Sequence, residues 1–379
     1  MTSLERVRAA FEHREPDRTP FFEKLIKWPI SDLVLGRPNA GQNWEYRMQR
    51  LAEGDWRGLM LQEARDLVDT AEVLGMDLVR LYPNGLEGPK PERLGEGVWR
   101  VGDHVHTRLP SGWIRTEAVN PSPPASEAEE EEWWVRWGEE QPEEAPYQED
   151  EWLVFREAKR VIEEERLDIA IFVSAYTIPV ATLPRPLWRW FRQRPEALKR
   201  CYRRWTESGL RLAREAIARG AHVVGFGGDL ACDHGPMISP SDYSEFIAPC
   251  IRAQADAAHA LGVPCSNASD GNLWPVLDSF LLETDVDGFE EIDYSAGMDL
   301  RRLKARYGDR ICFIGNMDIR HILTHGTVED CRRATVECIE AGWGSGGHVL
   351  MSSNCIHEDV RPENFFAYVE AYRKHFGLS

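Results

Sequence analysis

At 379 residues with a formal net charge of −18, the chain can bury a large core but presents a surface that repels phosphates. That excludes nucleic acid and anionic membranes as ordinary partners and leaves a small molecule or another protein. Its eight cysteines are scattered without a CxxC pair, the pattern of reduced thiols rather than a disulfide framework or zinc ribbon, and no apolar run reaches the length of a membrane span or secretion leader, so a cytoplasmic protein is expected.

Leu4, Val7 and Phe11 share one face of a helix over 4–13, which Pro16 and Pro20 stop, and a first strand is predicted over 19–26. From there one pattern repeats: a short β-rich apolar run, a polar tip, then a segment of helical length. The runs are MDLVRLYP (76–83), LDIAIFVSAY (167–176), AHVVGFGGD (221–229), VPCSNASD (263–270), VDGFEEID (286–293), ICFIGNMD (311–318) and GHVLMSSN (347–354). With the first strand they make eight. Strands alternating with helices imply a parallel sheet, and eight such units close into a (β/α)8 TIM barrel, an α/β fold read here as a single domain over 1–379.

Two stretches inside that barrel depart from the pattern and make up an insertion over 98–151, after the second strand. Residues 98–119 alternate apolar and polar around Gly102-Asp103 and Pro110-Ser111-Gly112, which predicts a small β-hairpin or meander. Residues 120–151 hold most of the acidic excess, with Arg136 the sole basic residue. They read as a solvated loop or short helix; the alternative makes Trp133, Trp134 and Trp137 a lid or interface over the barrel mouth.

In a barrel of this kind the polar tips all lie at the C-terminal ends of the strands, where active sites form. The tips supply Asp270, Asp229, Glu291 and His357 as candidate catalytic residues, and Lys24, Tyr82, Tyr176, Asn316, Asp318 and Asn354 as candidate substrate-binding residues. Glu23, Asn84, Asp233, Asn272, Glu290 and Asp293 stand at tips as well. An Asp or Asn at a strand end also caps helices and makes turns, so the inference rests on several tips converging. The GFGGD run at 225–229 lacks GxGxxG spacing, which argues against a phosphate loop and for glycines that let the backbone pack while Asp229 points into the mouth. Asp233 and His234 form a candidate acid/base pair, although adjacent residues rarely point together. Cys355 becomes a nucleophile only if the loop folds His357 back onto it. An oxygen-ligated metal requires Asp229, Asp233, Asp270, Glu291 and His357 to converge.

RVRAAFEHREPDRTPF, GPMISPSDYSEFI, SDGNLWPVLDSFL, AGMDLRRLKARYGDRICFIGNMD and SSNCIHEDVRPENF, in that order along the chain, resemble the uroporphyrinogen decarboxylase superfamily, which also holds the methylcobamide:coenzyme M methyltransferases. The resemblance implies a TIM barrel. Its decarboxylases carry an arginine-rich N-terminal segment that grips the carboxylates of a tetrapyrrole; here FFEKLIKWP stands instead, and an acidic mouth would repel such a substrate. Its zinc-dependent methyltransferases carry His-x-Cys at the fifth-strand tip and another Cys after the eighth strand. Aligning on Gly271-Asn272, Ile356 and Pro362-Glu363-Asn364 puts Ala268, Asp270 and Asn354 at those positions, so a thiol-activating zinc is not expected. The decarboxylases hold a histidine at the Asn354 position.

The resemblance therefore implies a methyltransferase or demethylase acting on a small methylated organic substrate, with Asp270, Asp229 or Glu291 as the acid. The corrinoid (cobalamin) is expected on a partner protein, because no DxHxxG corrinoid-binding segment is present. The alternatives are decarboxylation of a small carboxylic acid held by Lys24, Arg80 or Arg185, and a barrel retained for non-catalytic binding. A homodimer is the default assembly.

Overall fold

A computed structural model describes residues 1–378 apart from 86, 110, 121–125 and 141–146. The apolar runs form strands Leu78–Leu81, Ala170–Ser174, Val223–Gly227, Cys265–Ala268, Gly288–Glu290, Cys312–Ile314 and His348–Val349, which pair in chain order as one seven-stranded sheet. Every pairing is parallel. Helices cover the curled sheet on its outside, so nearly every strand residue is buried and the runs read as continuous apolar stretches. The helices carry the expected punctuation. Trp56–Leu74 starts at Asp55, whose side chain accepts from the Gly58 amide, and stops at left-handed Gly75; Val328–Gly342 starts in a reciprocal Thr327/Asp330 cap.

The predicted first strand over 19–26 is a correction. Among the described residues it pairs only at single bridges, Phe21 with Leu350 and Ile26 with Ile356. The reason is local: Pro20 has no amide hydrogen, and the Phe21 amide donates to the Asp77 carboxylate at 2.8 Å instead of to a neighbouring strand. The segment nevertheless touches both edges of the sheet. The Asp77 amide donates to Phe21 O at 2.7 Å on one side, and Phe22 N donates to Leu350 O at 3.0 Å on the other.

Between the first two parallel strands, Glu92–Gly95, Val98–Val101, His104–Arg108 and Ile114–Ala118 form a four-stranded antiparallel sheet. Trp99 anchors it, buried and donating from Nε1 to Glu45 at 3.1 Å. In the acidic segment, Glu127–Glu139 is a helix capped by Ser126. It does not form a lid: Trp134 and Trp137 pack on Trp205 of the outer helix Pro195–Ala218, with ring centroids 5.8 and 5.2 Å away, and Glu127 and Glu131 pair with Arg189. Burying two indoles there leaves only Trp133 largely exposed.

Asp77 is fully buried and receives Arg6, Arg18, the Ser3 hydroxyl and the Phe21 amide. Removing its charge leaves the Arg18 guanidinium without a carboxylate in a mostly buried setting, while Arg6 keeps Asp17 at 2.6 Å, a loss of about 3–5 kcal/mol. Asp77→Asn is therefore expected to lower the unfolding free energy in a urea titration by that amount; a loss below about 1 kcal/mol, the range of an exposed pair, would show that the arginines simply turn to water.

Candidate active site

The backbone at 20–26 delivers Lys24 into the interior of the curled sheet, where its side chain is only 3% exposed. Its Nζ donates to Tyr176 Oη at 2.8 Å and to Glu290 at 3.3 Å, and pairs with Glu291. Tyr176 in turn donates to Glu290 at 2.6 Å, and Ser266 Oγ donates to the other Glu290 oxygen at 2.7 Å. Two adjacent glutamates reach one lysine because the strand ends at Glu290 and Glu291 turns to φ 64°, a left-handed conformation of the kind functional sites retain at some cost. Gly225 makes the space: a Cβ there would lie 2.4 Å from Glu290 Oε1 and 2.6 Å from Phe172.

Above this cluster, Asp270 leaves the end of the strand Cys265–Ala268 and Asn354 follows the last strand. Asn354 Nδ2 donates to Asp270 Oδ2 at 2.6 Å, whereas buried Asp270 Oδ1 has no hydrogen-bond partner. Carboxylate oxygens of Asp229, Asp270 and Glu291 all lie within 4.8 Å of one another. Burial pushes the Asp270 carboxyl up to about 8, with the Glu291, Asp229 and Asp293 charges adding to the rise and Lys24 opposing it. Asp229, at the rim, is raised as well, by desolvation and then by Glu291. Burial pulls the Lys24 ammonium down, but Glu291, Tyr176 and Glu290 outweigh it and hold the lysine charged. The site thus contains a charged lysine with carboxyl groups around it, of which Asp270 keeps its proton at neutral pH.

Asp270 and Asn354 open onto a cavity of ≈ 660 Å3 that Lys27, Trp113, Cys355 and His357 also line, a size suited to a small organic ligand. No described residue of the acidic Trp helix lines it. Burial lowers the His357 pKa, so the ring is neutral at pH 7, and its Nδ1 accepts from the Asp359 amide at 3.2 Å. Burial raises the Cys355 thiol, which keeps it protonated, and His357 is turned to its own loop; Cys355 is not an activated nucleophile.

Of the residues singled out from the sequence, Lys24, Tyr176, Asp229, Asp270, Glu291 and Asn354 converge and His357 lines the same cavity. Three do not join them. Tyr82 donates to Glu63 at 2.7 Å, in a separate group with Asn84 and Arg47. Asn316 donates to Met298 O at 2.9 Å, and Asp318 caps the following turn by accepting from the His321 amide at 2.9 Å; both line a different cavity of ≈ 380 Å3. Asp233 pairs with Arg320 at 2.7 Å and leaves exposed His234 aside, so these neighbours form no acid/base couple. Glu290, which the sequence places at a strand tip, joins the cluster as well, whereas sequence reasoning does not single out Ser266 as functional. The strand's alternation offers a signal for Ser266, since it lies two residues before Ala268 on the same face.

The uroporphyrinogen decarboxylase (URO-D) family model matches residues 169–375. The chain is 29% identical to the uroporphyrinogen decarboxylase of Pseudoalteromonas atlantica over 148 residues, 37% of this chain and 39% of that protein. It is 31% identical to that of Psychromonas ingrahamii over 144 residues, 36% of this chain and 38% of that protein. The match thus spans about two fifths of the length of these relatives. Among solved structures, a methyltransferase from Methanosarcina mazei superposes with a TM-score of 0.65 at 18% identity, covering 99% of both chains, a likeness of fold.

A folded-state value of about 8 against an ordinary value of 3.8 means that native Asp270 keeps a proton that the unfolded chain has released. Its contribution to stability is complete below about pH 4 and is lost as pH rises to about 8. Buried Glu23, raised to about 7 by desolvation, slopes the same way. The Tm of the wild type should fall across this window more steeply than that of Asp270→Asn, which keeps the acceptor for Asn354; parallel pH profiles would show that Asp270 is ionised in the native state.

Proposed function

Because the chain belongs to the uroporphyrinogen decarboxylase (URO-D) family, we propose that it is a methyltransferase or demethylase, built on a (β/α)8 barrel whose first stave is the Phe21 segment, that acts on a small, neutral or cationic methylated substrate. The observation that carries this reading is Asp270: a neutral carboxylic acid with one oxygen fixed by Asn354 and the other without a partner beside the cavity. Cleaving a methyl–oxygen or methyl–nitrogen bond leaves an electron pair on the heteroatom. In this reading Asp270, which lines the cavity, gives its proton to that atom as the charge develops, while the methyl carbon passes to a nucleophilic acceptor. Lys24 and Glu291 below it bias the proton's position: Glu291 raises the affinity of Asp270 for it and Lys24 stabilises the carboxylate once it has left.

The methyl acceptor in this reading is a corrinoid carried by a partner protein, which supplies a cobalt nucleophile; the open cavity beside Asp270 is the side from which it would approach. A thiol-activating zinc does not suit the donors: Ala268 has no ligand atom and the Asn354 amide is engaged with Asp270. The carboxylates around the single Lys24 also disfavour a substrate with several carboxylates of its own.

Decarboxylation of a small acid is the second reading, favoured by Arg80. Its Nε is buried without a hydrogen-bond partner, no ion pair to it is found among the described residues, and its guanidinium carbon lies 5.6 Å from the Tyr82 ring centroid; in this reading it takes the substrate carboxylate.

Incubating the protein with reduced corrinoid and a panel of methylated aromatics and amines tests the first reading. Methyl transfer is expected, with kcat declining as pH rises through about 8. In Asp270→Asn kcat should drop by about 10²–10⁴-fold, with KM little changed. Carbon dioxide release from small acids without corrinoid, lost in Arg80→Leu, would support the second reading, and an empty panel would defeat the first.

A further inference from the structure

At the opposite end of the sheet from the cavity, three side chains of different chemistry meet. His259 lies in the last turn of the helix Ala248–Ala260, Cys265 opens the next strand, and Asp287 immediately precedes the strand paired with it. His259 Nε2 is 2.8 Å from Asp287 Oδ2 and 3.9 Å from Cys265 Sγ, and the three candidate ligand atoms all lie within 4.8 Å of one another. The backbone holds the set firmly: the Cys265 amide donates to Asp287 Oδ2 at 2.8 Å, and the Asp287 amide donates to Cys265 O at 2.9 Å. Cys265 is fully buried, whereas the His259 and Asp287 side chains are each 34% exposed. They face a cavity of ≈ 310 Å3 that Arg8, Phe11 and Glu12 also line.

We propose that His259, Cys265 and Asp287 form a binding site for a borderline divalent transition metal, with Zn2+ as the prime occupant, separate from the proposed reaction centre. Nitrogen, thiolate sulfur and carboxylate oxygen are the donors zinc takes, at roughly 2.0–2.3 Å. In a tetrahedron such donors stand roughly 3.3–3.6 Å apart, by geometry from those bond lengths. The 3.9 Å and 2.8 Å separations bracket that spacing and the Asp287–Cys265 pair lies within 4.8 Å, so the set closes on an ion by side-chain adjustment. The fourth position faces the cavity, where water or Glu12 is available to complete the shell. Binding replaces the thiol proton, which leaves to solvent, and the ion's two positive charges balance thiolate and Asp287. The sulfur ligand and mixed donor set disfavour Mg2+ and Ca2+, which take oxygen. The metal would tie a helix to two adjacent strands, so its role is to brace the sheet at the end away from the substrate.

Chelator-treated full-length protein titrated with Co2+ tests this. One equivalent should bind with visible bands of tetrahedral cobalt and a near-ultraviolet thiolate band, and Zn2+ should displace both and raise the Tm. Cys265→Ser should lose the thiolate band. His259→Gln, an exposed position that leaves the fold undisturbed, should lose stoichiometric binding and the Zn2+-dependent rise in Tm, while Asp229→Asn should retain all signals. Absence of a thiolate band in the wild type, or its persistence in Cys265→Ser, would overturn the proposal; so would binding that Asp229→Asn abolishes, because the ion would then sit among the carboxylates at the other end.

Discussion

The buried carboxylate of Asp77 is the constraint on which the rest of the structure depends. It stands at the entrance of the first parallel strand and binds Arg6, Arg18, Ser3 and the Phe21 amide together. These donor groups from the first 21 residues cannot come from a frayed terminus, so one side chain fixes how the N-terminal segment enters the sheet. By taking the Phe21 amide it also prevents a regular strand there. Beyond Phe21 the backbone is irregular and turns Glu23 toward Ser352 and Tyr368, and Lys24 into the interior.

Lys24 then sets the electrostatics at the other end of the same strands. A buried ammonium requires counter-charges, and Glu290 and Glu291 supply two for its one. The excess negative charge reaches Asp270 and Asp229, so that where several carboxyl groups share little solvent, the one with a hydrogen-bond donor on one oxygen only retains its proton. Proton retention at Asp270 therefore follows first from its burial and then from the neighbouring carboxylates, with Lys24 opposing it. The same charge excess is what separates, on the proposed reading, a methylated substrate from a polycarboxylate one.

The seven parallel strands and the convergence of Asp270 with Asn354 are legible in the chain because each rests on a local signal: an apolar run ending in a polar tip. The features that the sequence hides depend on backbone detail at a single residue. Asn316 and Asp318 lie at a strand tip as the pattern requires, yet their side chains satisfy Met298 O and the His321 amide, the capping role equally open to any Asn or Asp. Tyr82 turns to Glu63, a helix residue 19 positions earlier that no tip pattern includes. Glu290 and Glu291 both stand at one tip in the sequence, but neighbours on a strand point apart, and the left-handed φ of Glu291 is what brings both to Lys24. The first strand fails as a regular strand because the competitor for its amide is a side chain 56 positions away.

The spatial meeting of residues 270 and 354 bears on how one fold divides among reactions. By the resemblance, zinc-dependent members of the superfamily place metal ligands at these two positions, and the decarboxylases place a histidine at the second. In this chain the same two strand ends meet as a carboxyl and an amide 2.6 Å apart. The fold's contribution is the meeting itself, set by strand register and unaffected by the side chains. Their identity decides what is held there: a soft pair holds a cation, and an Asp with an Asn holds a proton. A cation at this point would add to Lys24 and favour ionised carboxylates around it, whereas a proton leaves the cluster more negative and makes Asp270 an acid. The carboxyl and amide at these two positions and the raised pKa of Asp270 then go together, and on the proposed reading that acid serves a departing heteroatom.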